Sequence, residues 1–313
     1  MNKTNNNLHI PVMLQETIEA LNINPQGIYV DCTAGLGGHS SKILAQLNSN
    51  GKLICIDQDK TAIDYLQKIF GNDSRVIVIH DNFRHLKLIL NTLKIAKVDG
   101  ILVDLGVSSP MFDDPTRGFS YHSEARLDMR MDQDQKLDAH FIVNKYDAKQ
   151  LNTIFKLYGE IYNSKKVTDA ICEARKYKTI NTTTELVNII KDALPPMKLY
   201  EKKHPARNYF QAIRIAVNDE LSALRKLLTD AFDLLKLHGR IVAIAFHSLE
   251  DRIVKQTFNK HTTSQIPKEV PIINEVINYK LINKKPINAT EQEININRRS
   301  RSAKLRIIEK IKE

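Results

Sequence analysis

The residues best suited to chemistry fall in two short strings. The first is Val30-Asp31-Cys32-Thr33-Ala34-Gly35-Leu36-Gly37-Gly38-His39-Ser40, where an acid, three glycines and a histidine follow the apolar run Ile28-Tyr29-Val30. Glycine lets a backbone bend tightly and pass close to a ligand, so such a string after a strand suits a nucleotide. The spelling departs from the dinucleotide pattern G-x-G-x-x-G, because Ser40 stands where the third glycine belongs. Asp31 closes the strand with a negative charge, which favours a ligand carrying a cation near the loop, such as the ammonium of S-adenosylmethionine (SAM), over a pyrophosphate. On these residues alone a dinucleotide site and an ordinary loop remain open. The second string is Asp104-Leu105-Gly106-Val107-Ser108-Ser109-Pro110. The lone pair of an aryl amine is delocalised into its ring, and acceptors that hold the amine hydrogens help to localise that pair on nitrogen. Asp104 with Ser108-Ser109-Pro110 supplies such acceptors, although Ser-Ser-Pro is also an ordinary turn. No strong base is required for methylation there, so orientation should dominate.

These strings need a scaffold, and the intervening sequence reads as one. Leu14, Ile18 and Leu21 share a helical face within Pro11–Leu21, and apolar strands are predicted at Lys52–Asp57, Arg75–Ile79 and Gly100–Asp104. Helices over Thr61–Phe70 and Arg84–Leu93 fill the gaps. In an open α/β sheet ligands sit beyond the carboxyl ends of the strands, so the glycine loop, Asp57, Asp81 and Asp104 should face one crevice. Asp57 follows Gly37 at the interval where such folds place a carboxylate on ribose hydroxyls, whereas Asp59 suits a helix cap. Asp81 with Phe83 could hold an adenine, or could be a cap and a core residue.

Beyond Met111 the pattern changes. Asp113 to Asp134 is polar with few apolar positions and is predicted to be a long functional loop. Helices follow: one between Asp147 and Gly159, and one opened by the capping box Thr182-x-x-Glu185 and ended by Pro195-Pro196. Lys198 to Arg214 mixes Lys198, Lys202, Lys203, His204, Arg207 and Arg214 with Tyr200, Tyr209 and Phe210, a mixture that suits either single-stranded nucleic acid or a solvated basic helix. Phe210 to Leu235 reads as one long amphipathic helix ending at His238-Gly239. Ile241–Phe246 is a further strand, with Ser248 capping the helix after it. Residues 259–297 read only as loop or linker, Arg298-Arg299-Ser300-Arg301-Ser302 is a basic cluster, and Ala303–Ile308 is a last strand. The expected organisation is a core over 1–112 and 216–313, with a helical domain over 113–215 inserted after strand four.

The 313 residues, 42% of them apolar, suffice for a sizeable core. No apolar run approaches the ~20 residues of a membrane span, and Met1–Asn7 lacks the apolar centre of a signal peptide, so a cytoplasmic address is expected. Cys32, Cys55 and Cys172 lack metal-ligand spacing and are expected to be reduced, with no disulfide and no metal site. A net charge of +10 favours a polyanionic partner, although lysine and asparagine are abundant throughout.

Taken together, several strings resemble one family, the bacterial 16S ribosomal RNA (cytosine-N4)-methyltransferases. They are His9–Leu14, Gly35–Ser40, Asp99–Pro110, Arg117–Ser120, Leu127–Asp132, Lys203–Ala206, Phe210–Arg214, Phe246–Lys255 and Arg301–Arg306, spread over about residues 9 to 310. The resemblance implies a class I SAM-dependent methyltransferase fold: Rossmann-like α/β, a mixed seven-stranded sheet with an antiparallel last strand, and an inserted all-helical domain. It implies methylation of the N4 amino group of a decoding-centre cytidine in the 16S ribosomal RNA of the small subunit, with no obligate protein partner. By that resemblance SAM is held at Gly37, Gly38, His39, Asp57, Phe83, Asp104 and Met111. Catalysis falls to Asp104, Ser108, Ser109 and Pro110, and RNA binding to Lys203, His204, Arg207 and Arg214. Met111 departs from the family's usual Gln, Ile161-Tyr162 after Tyr158-Gly159-Glu160 from its usual Glu-Arg, and Arg207-Asn208-Tyr209 after Ala206 from its usual Thr-Arg-Thr. The alternatives are an amino-methyltransferase acting on DNA or another RNA, and a non-catalytic SAM- and RNA-binding assembly factor.

Overall fold

A computed structural model describes residues 11–263 and 277–313. His9-Ile10 of the first matching string, the Met1–Asn7 terminus and residues 264–276 of the stretch read as linker lie outside the described residues. The chain forms two units, Met1–Gly106 with Leu221–Glu313, and Val107–Glu220. The division falls at 106/107 and 220/221, compared with the expected 112/113 and 215/216.

In chain order the first unit begins α1 (Leu14–Leu21), β1 (Ile28–Asp31), α2 (Gly38–Leu44), β2 (Lys52–Asp57), α3 (Lys60–Phe70), β3 (Val76–His80), α4 (Leu86–Thr92) and β4 (Val98–Asp104). The second unit carries α5 (Ser109–Asp113), α6 (Ala139–Lys145), α7 (Ala148–Gly159), α8 (Lys165–Tyr177), α9 (Thr183–Ala193), α10 (Pro196–Leu199) and α11 (Arg207–Asn218). The chain then continues with α12 (Glu220–Ala231), β5 (Leu235–Ala245), α13 (Ser248–Thr262), β6 (Tyr279–Leu281), β7 (Ile287–Asn288), α14 (Glu291–Ile296) and β8 (Lys304–Lys310).

The strands form one sheet in the order β3-β2-β1-β4-β5-β8-β6, and β7 also pairs with β8. Neighbours from β3 to β5 are parallel, whereas β8 runs antiparallel to β5, and β6 and β7 run antiparallel to β8. The expected antiparallel late strand is present; among the described residues the sheet holds eight strands where seven were expected. Two short strands given no range in the sequence reading, β6 and β7, come from the Asn, Ile and Lys-rich stretch, whose described part also holds α14. Pairing with β8 gives those residues a ladder that their composition does not announce.

Alternate residues of each strand enter two separate cores, as the pleat requires. Val30, Ile54, Ile56, Ile101, Val103 and Ile241 pack with Leu86 and Leu90 of α4, Leu224 and Leu228 of α12, and Phe258 of α13. Tyr29, Leu53, Leu102, Val242 and Ile244 face the other way, against Leu21, Ile43, Leu66 and Phe70. This three-layer arrangement fixes the carboxyl edge of the strands, where β1, β2 and β4 each end in an aspartate.

Two helix expectations change. The helix predicted over Phe210–Leu235 is broken at Asp219, whose φ of 48° ends α11 before α12 starts. The cap of α13 is His247 instead of Ser248: the His247 side chain accepts from the Glu250 N–H, and Glu250 returns to the backbone of His247. The capping boxes at Asp147–Gln150 and Thr182–Glu185 form.

The second unit has its own core, and the polar stretch 113–134 contributes to it. Phe119, Leu127, Met129 and Met131 are buried there with Phe155, Leu186 and Phe210. Polar residues hold this stretch in place. Asn218 accepts from the Met131 N–H at 2.8 Å and donates to the Met129 carbonyl at 2.8 Å. Arg130 pairs with both oxygens of Asp128 at 2.9 and 2.8 Å. Gly118, at φ 70°, passes so close to the Arg126 carbonyl that an added Cβ would lie 2.4 Å from it.

Candidate cofactor site

The site grows from the carboxyl edge of β1, β2 and β4. After β1 the backbone binds its neighbours, with Cys32 N–H donating to the Leu102 carbonyl at 2.9 Å and Ala34 N–H to the Ile56 carbonyl at 3.0 Å. Gly35 and Gly37 then take φ of 53° and 77°, a region that favours glycine, and Gly37 N–H closes the turn on Ala34 at 2.7 Å. At Gly38, the first residue of α2, a Cβ would fall 2.2 Å from the ring of Pro11.

Ser40, where a third glycine was missing, has a task of its own. Its hydroxyl donates to Asp31 Oδ2 at 2.7 Å, and the Thr33 N–H reaches Asp31 Oδ1 at 3.3 Å. Asp31 is therefore buried, with burial raising its carboxyl pKa to about 6, and it braces the loop from within where an open ligand contact was expected. Asp57 accepts from the Gly35 N–H and the Asp59 N–H, each at 2.8 Å, which ties the glycine turn to β2. Burial raises this carboxyl to about 6 as well. Asp59 caps α3 through the Thr61 N–H.

Asp104 is the best-placed acceptor. Its backbone N–H donates to the Thr33 hydroxyl at 2.7 Å, while its buried Oδ1 has no hydrogen-bond partner among the described residues. Burial, and then the nearby charges of Asp31 and Glu250, hold its carboxyl well above the ordinary range. Gly106, at φ 93°, makes the turn beyond it. His39 Nδ1 lies 3.9 Å from Asp104 Oδ2. The other ring nitrogen, Nε2, is 3.1 Å from the Val12 carbonyl, an acceptor that sets the proton on that nitrogen.

A buried carboxylate oxygen without a donor, beside other acids and a left-handed glycine turn, is a suitable environment for a cationic ligand with hydrogens to give. The ammonium of SAM meets that description, and its sulfonium adds positive charge. Gly37, Gly38, His39, Asp57 and Asp104 all lie in the first unit, and Phe83 follows β3 at the same edge, half-buried against the sheet core. Two expected contacts are changed. Asp81 is bound locally, to the Asn82 N–H at 2.7 Å and to His85 at 2.7 Å, and Asn82 is the actual cap of the turn that carries Phe83. Met111 is buried in the core of the second unit, so its side chain is occupied by packing.

Residues 6–311 match the MraW methylase family. The chain belongs to that family. It is a class I SAM-dependent methyltransferase. The chain is 57% identical over 300 residues to a ribosomal RNA small subunit methyltransferase H of Ureaplasma parvum, covering 96% of this chain and 97% of that one. It is 54% identical, over the same shares, to the protein of that name from Ureaplasma urealyticum. A solved rRNA methylase from Streptococcus thermophilus is 10% identical, with coverage of 96% and 94% and a TM-score of 0.42.

The remaining predicted site residues lie in the second unit. Ser108 precedes α5 without a side-chain capping bond, Ser109 is buried, and Pro110 sits in the first turn of α5. Lys203 is exposed, and His204 stacks on Tyr121 with ring centroids 4.6 Å apart. Burial, with Lys191 and His122 nearby, holds the His204 pKa below the ordinary histidine value, so the neutral ring is favoured. Arg207 starts α11. Arg214 instead makes a bidentate pair with Glu220, 2.8 Å on each arm, and Tyr209 and Phe210 are core residues, leaving Tyr200 as the exposed aromatic of that string. Phe210 and Ile213 share the buried face of α11, which explains why this part of the string reads as both basic and aromatic. Sequence reasoning missed Thr33, Ser40 and Glu250 as site residues. Ser40 alone had a signal, the interrupted glycine pattern.

Proposed function

We propose that this protein transfers the methyl group of SAM to the N4 amino group of a cytidine in the decoding centre of 16S ribosomal RNA. The substrate class is supported by the relatives named as small-subunit ribosomal RNA methyltransferases, at 57% and 54% identity over nearly the whole chain. The observation that carries the amine is Asp104, whose buried Oδ1 has no donor among the described residues and whose chain continues directly into Ser108-Ser109-Pro110.

When bound, SAM supplies a methyl group on a positively charged sulfur that departs readily as a thioether. The protein's part is orientation. Asp104 accepts a hydrogen from the cytosine amine, Ser108 and Ser109 add acceptors, and Pro110 fixes the first turn of α5 behind them, so the nitrogen lone pair is held for transfer. Asp57 and the Gly37-Gly38-His39 turn hold the cofactor, and Lys203, His204 and Arg207 contact RNA. The setting is the cytoplasm, where small subunits are assembled. No helix among the described residues is long and apolar enough to cross a membrane.

Labelled methyl transfer tests this reading. Incorporation into isolated small subunits, mapped by mass to N4 of one decoding-centre cytidine, supports it. Label entering DNA or free nucleotides instead points to a different amino-methyltransferase. SAM binding with no transfer to any of them identifies an assembly factor.

A further inference from the structure

Along the sequence, most of the excess of positive charge falls outside the Lys198–Arg214 string. Residues 107–220 hold 18 Lys and Arg against 16 Asp and Glu, and residues 1–106 are balanced at 10 and 10. The excess is in 221–313, with 18 against 10, and chiefly in 277–313, with 10 against 4. Some of these cations serve the fold: Lys304 and Arg306 both grip Asp251, at 3.0 and 2.7 Å, and Lys310 pairs with Glu313 at 3.2 Å. Arg298, Arg301, Lys284 and Lys285 are exposed and form no ion pair among the described residues.

Their supports are firm. Arg298–Ser302 is a tight 3-10 turn whose central Ser300 is fully buried and donates to the Asn297 carbonyl at 2.7 Å. Lys284 and Lys285 lie in the turn between β6 and β7, next to Asn283. The Asn283 side chain donates to the Leu305 carbonyl at 2.9 Å and accepts from the Ile307 N–H at 2.8 Å. Register places the arginine turn at the cofactor edge of the sheet. Asp104 pairs with Ile244, Ile244 with Leu305, and Ala245 with Lys304, so the start of β8 stands two strand spacings, about 10 Å, from Asp104. The preceding helix, α14, is tied to the same neighbourhood through Glu293, which accepts from the Met13 N–H at 2.7 Å beside the Val12 carbonyl that binds His39.

We propose that the Arg298–Ser302 turn, with Lys284 and Lys285, is an RNA-phosphate contact surface on the cofactor-binding unit itself. It grips the strand that flanks the methylated nucleotide. The inference rests on RNA being the substrate. A base presented for transfer brings its neighbouring phosphates to the same edge, and guanidinium groups match phosphate oxygens in a bidentate fork. Because the turn is anchored by Ser300 and Asn297, little backbone freedom is lost on binding.

The test measures RNA affinity against salt for the full chain and for Arg298→Ala/Arg301→Ala. The probes are a decoding-region fragment of small-subunit ribosomal RNA and an unrelated single strand of equal length. Losing two phosphate contacts should lower the slope of log affinity against log salt by about 1.4, equivalent to about 25-fold weaker binding at ~0.1 M salt, on both RNAs. The Lys284→Ala/Lys285→Ala pair should behave alike, and SAM affinity reports that either variant is folded. Unchanged RNA affinity and slope in both folded variants would overturn the proposal, whether or not the wild type methylates small subunits. Absence of transfer by the wild type fails the substrate reading separately.

Discussion

Replacing Asp31 with Asn tests the claim that the acid under the glycine loop is a buried brace. Asp31 is 1% exposed, and burial raises its carboxyl from an ordinary 3.8 to about 6, against the lowering effect of its bonds to Ser40 and Thr33. Between those pH values the folded protein binds a proton that the unfolded chain has released. The stability contribution is therefore fully present below about pH 4 and is lost as pH rises through about 6. A shift of about two units corresponds to about 3 kcal/mol, and the group is too buried for solvent to screen it much. Asn cannot ionise, so the Asp31→Asn variant escapes this loss while keeping an oxygen for one donor. Urea unfolding of both proteins without cofactor, from pH 4 to 7.5, should show the stability difference moving by about 3 kcal/mol in favour of the variant, with the change centred between about pH 4 and 6. A difference that stays constant within about 1 kcal/mol would refute the buried, proton-holding role.

Other substitutions probe the remaining parts. Asp104→Ala should lower methyl-transfer turnover at least about 100-fold while leaving RNA affinity nearly intact, and unchanged turnover would remove Asp104 from the chemistry. Gly37→Ala forces a side chain into a φ of 77° with Leu66, Ile69 and Phe70 at 3.0 Å from its Cβ, so a stability loss of about 1–2 kcal/mol with weaker SAM binding is expected in unfolding and titration measurements. Asn218→Ala strips the Met131 N–H and Met129 carbonyl of a buried partner, and should cost about 1–3 kcal/mol of stability, read by denaturant unfolding. Protease digestion of that variant should cut first between residues 117 and 134, and cleavage elsewhere would contradict the pinning role.

The carboxyl edge of the sheet was legible because its signals are local. Each of β1, β2 and β4 is a short apolar run closed by an acid, and Lys52–Asp57 needs no tertiary information to be recognised as β2. The errors share a different cause, which is that a residue's type does not reveal its partner. Asp31 and Asp104 are both strand-end aspartates, yet Ser40 and Thr33 occupy the oxygens of one and leave Oδ1 of the other unmatched. Arg214 looks like an RNA contact until Glu220, six residues on and past the break at Asp219, takes its guanidinium. Asp219 at φ 48° also could not be inferred, since Phe210, Val217, Leu224 and Leu228 continue one helical pattern across the break.

The same reasoning separates the two groups of arginines. A cation within hydrogen-bonding reach of a partly buried acid is committed to the fold, as Arg306 and Lys304 are to Asp251. Burial alone would raise the Asp251 carboxyl, and these two partners hold it below the ordinary range. Three residues before Lys304, Arg301 has no such acid among the described residues and stays exposed on an anchored turn. Desolvating a cation without a partner is unfavourable, so the fold leaves Arg301 and Arg298 in water, available to an anion that arrives with its own charge. The glycine string set the cofactor loop, but the sheet register is what brings this late basic cluster to the same edge from the opposite end of the chain.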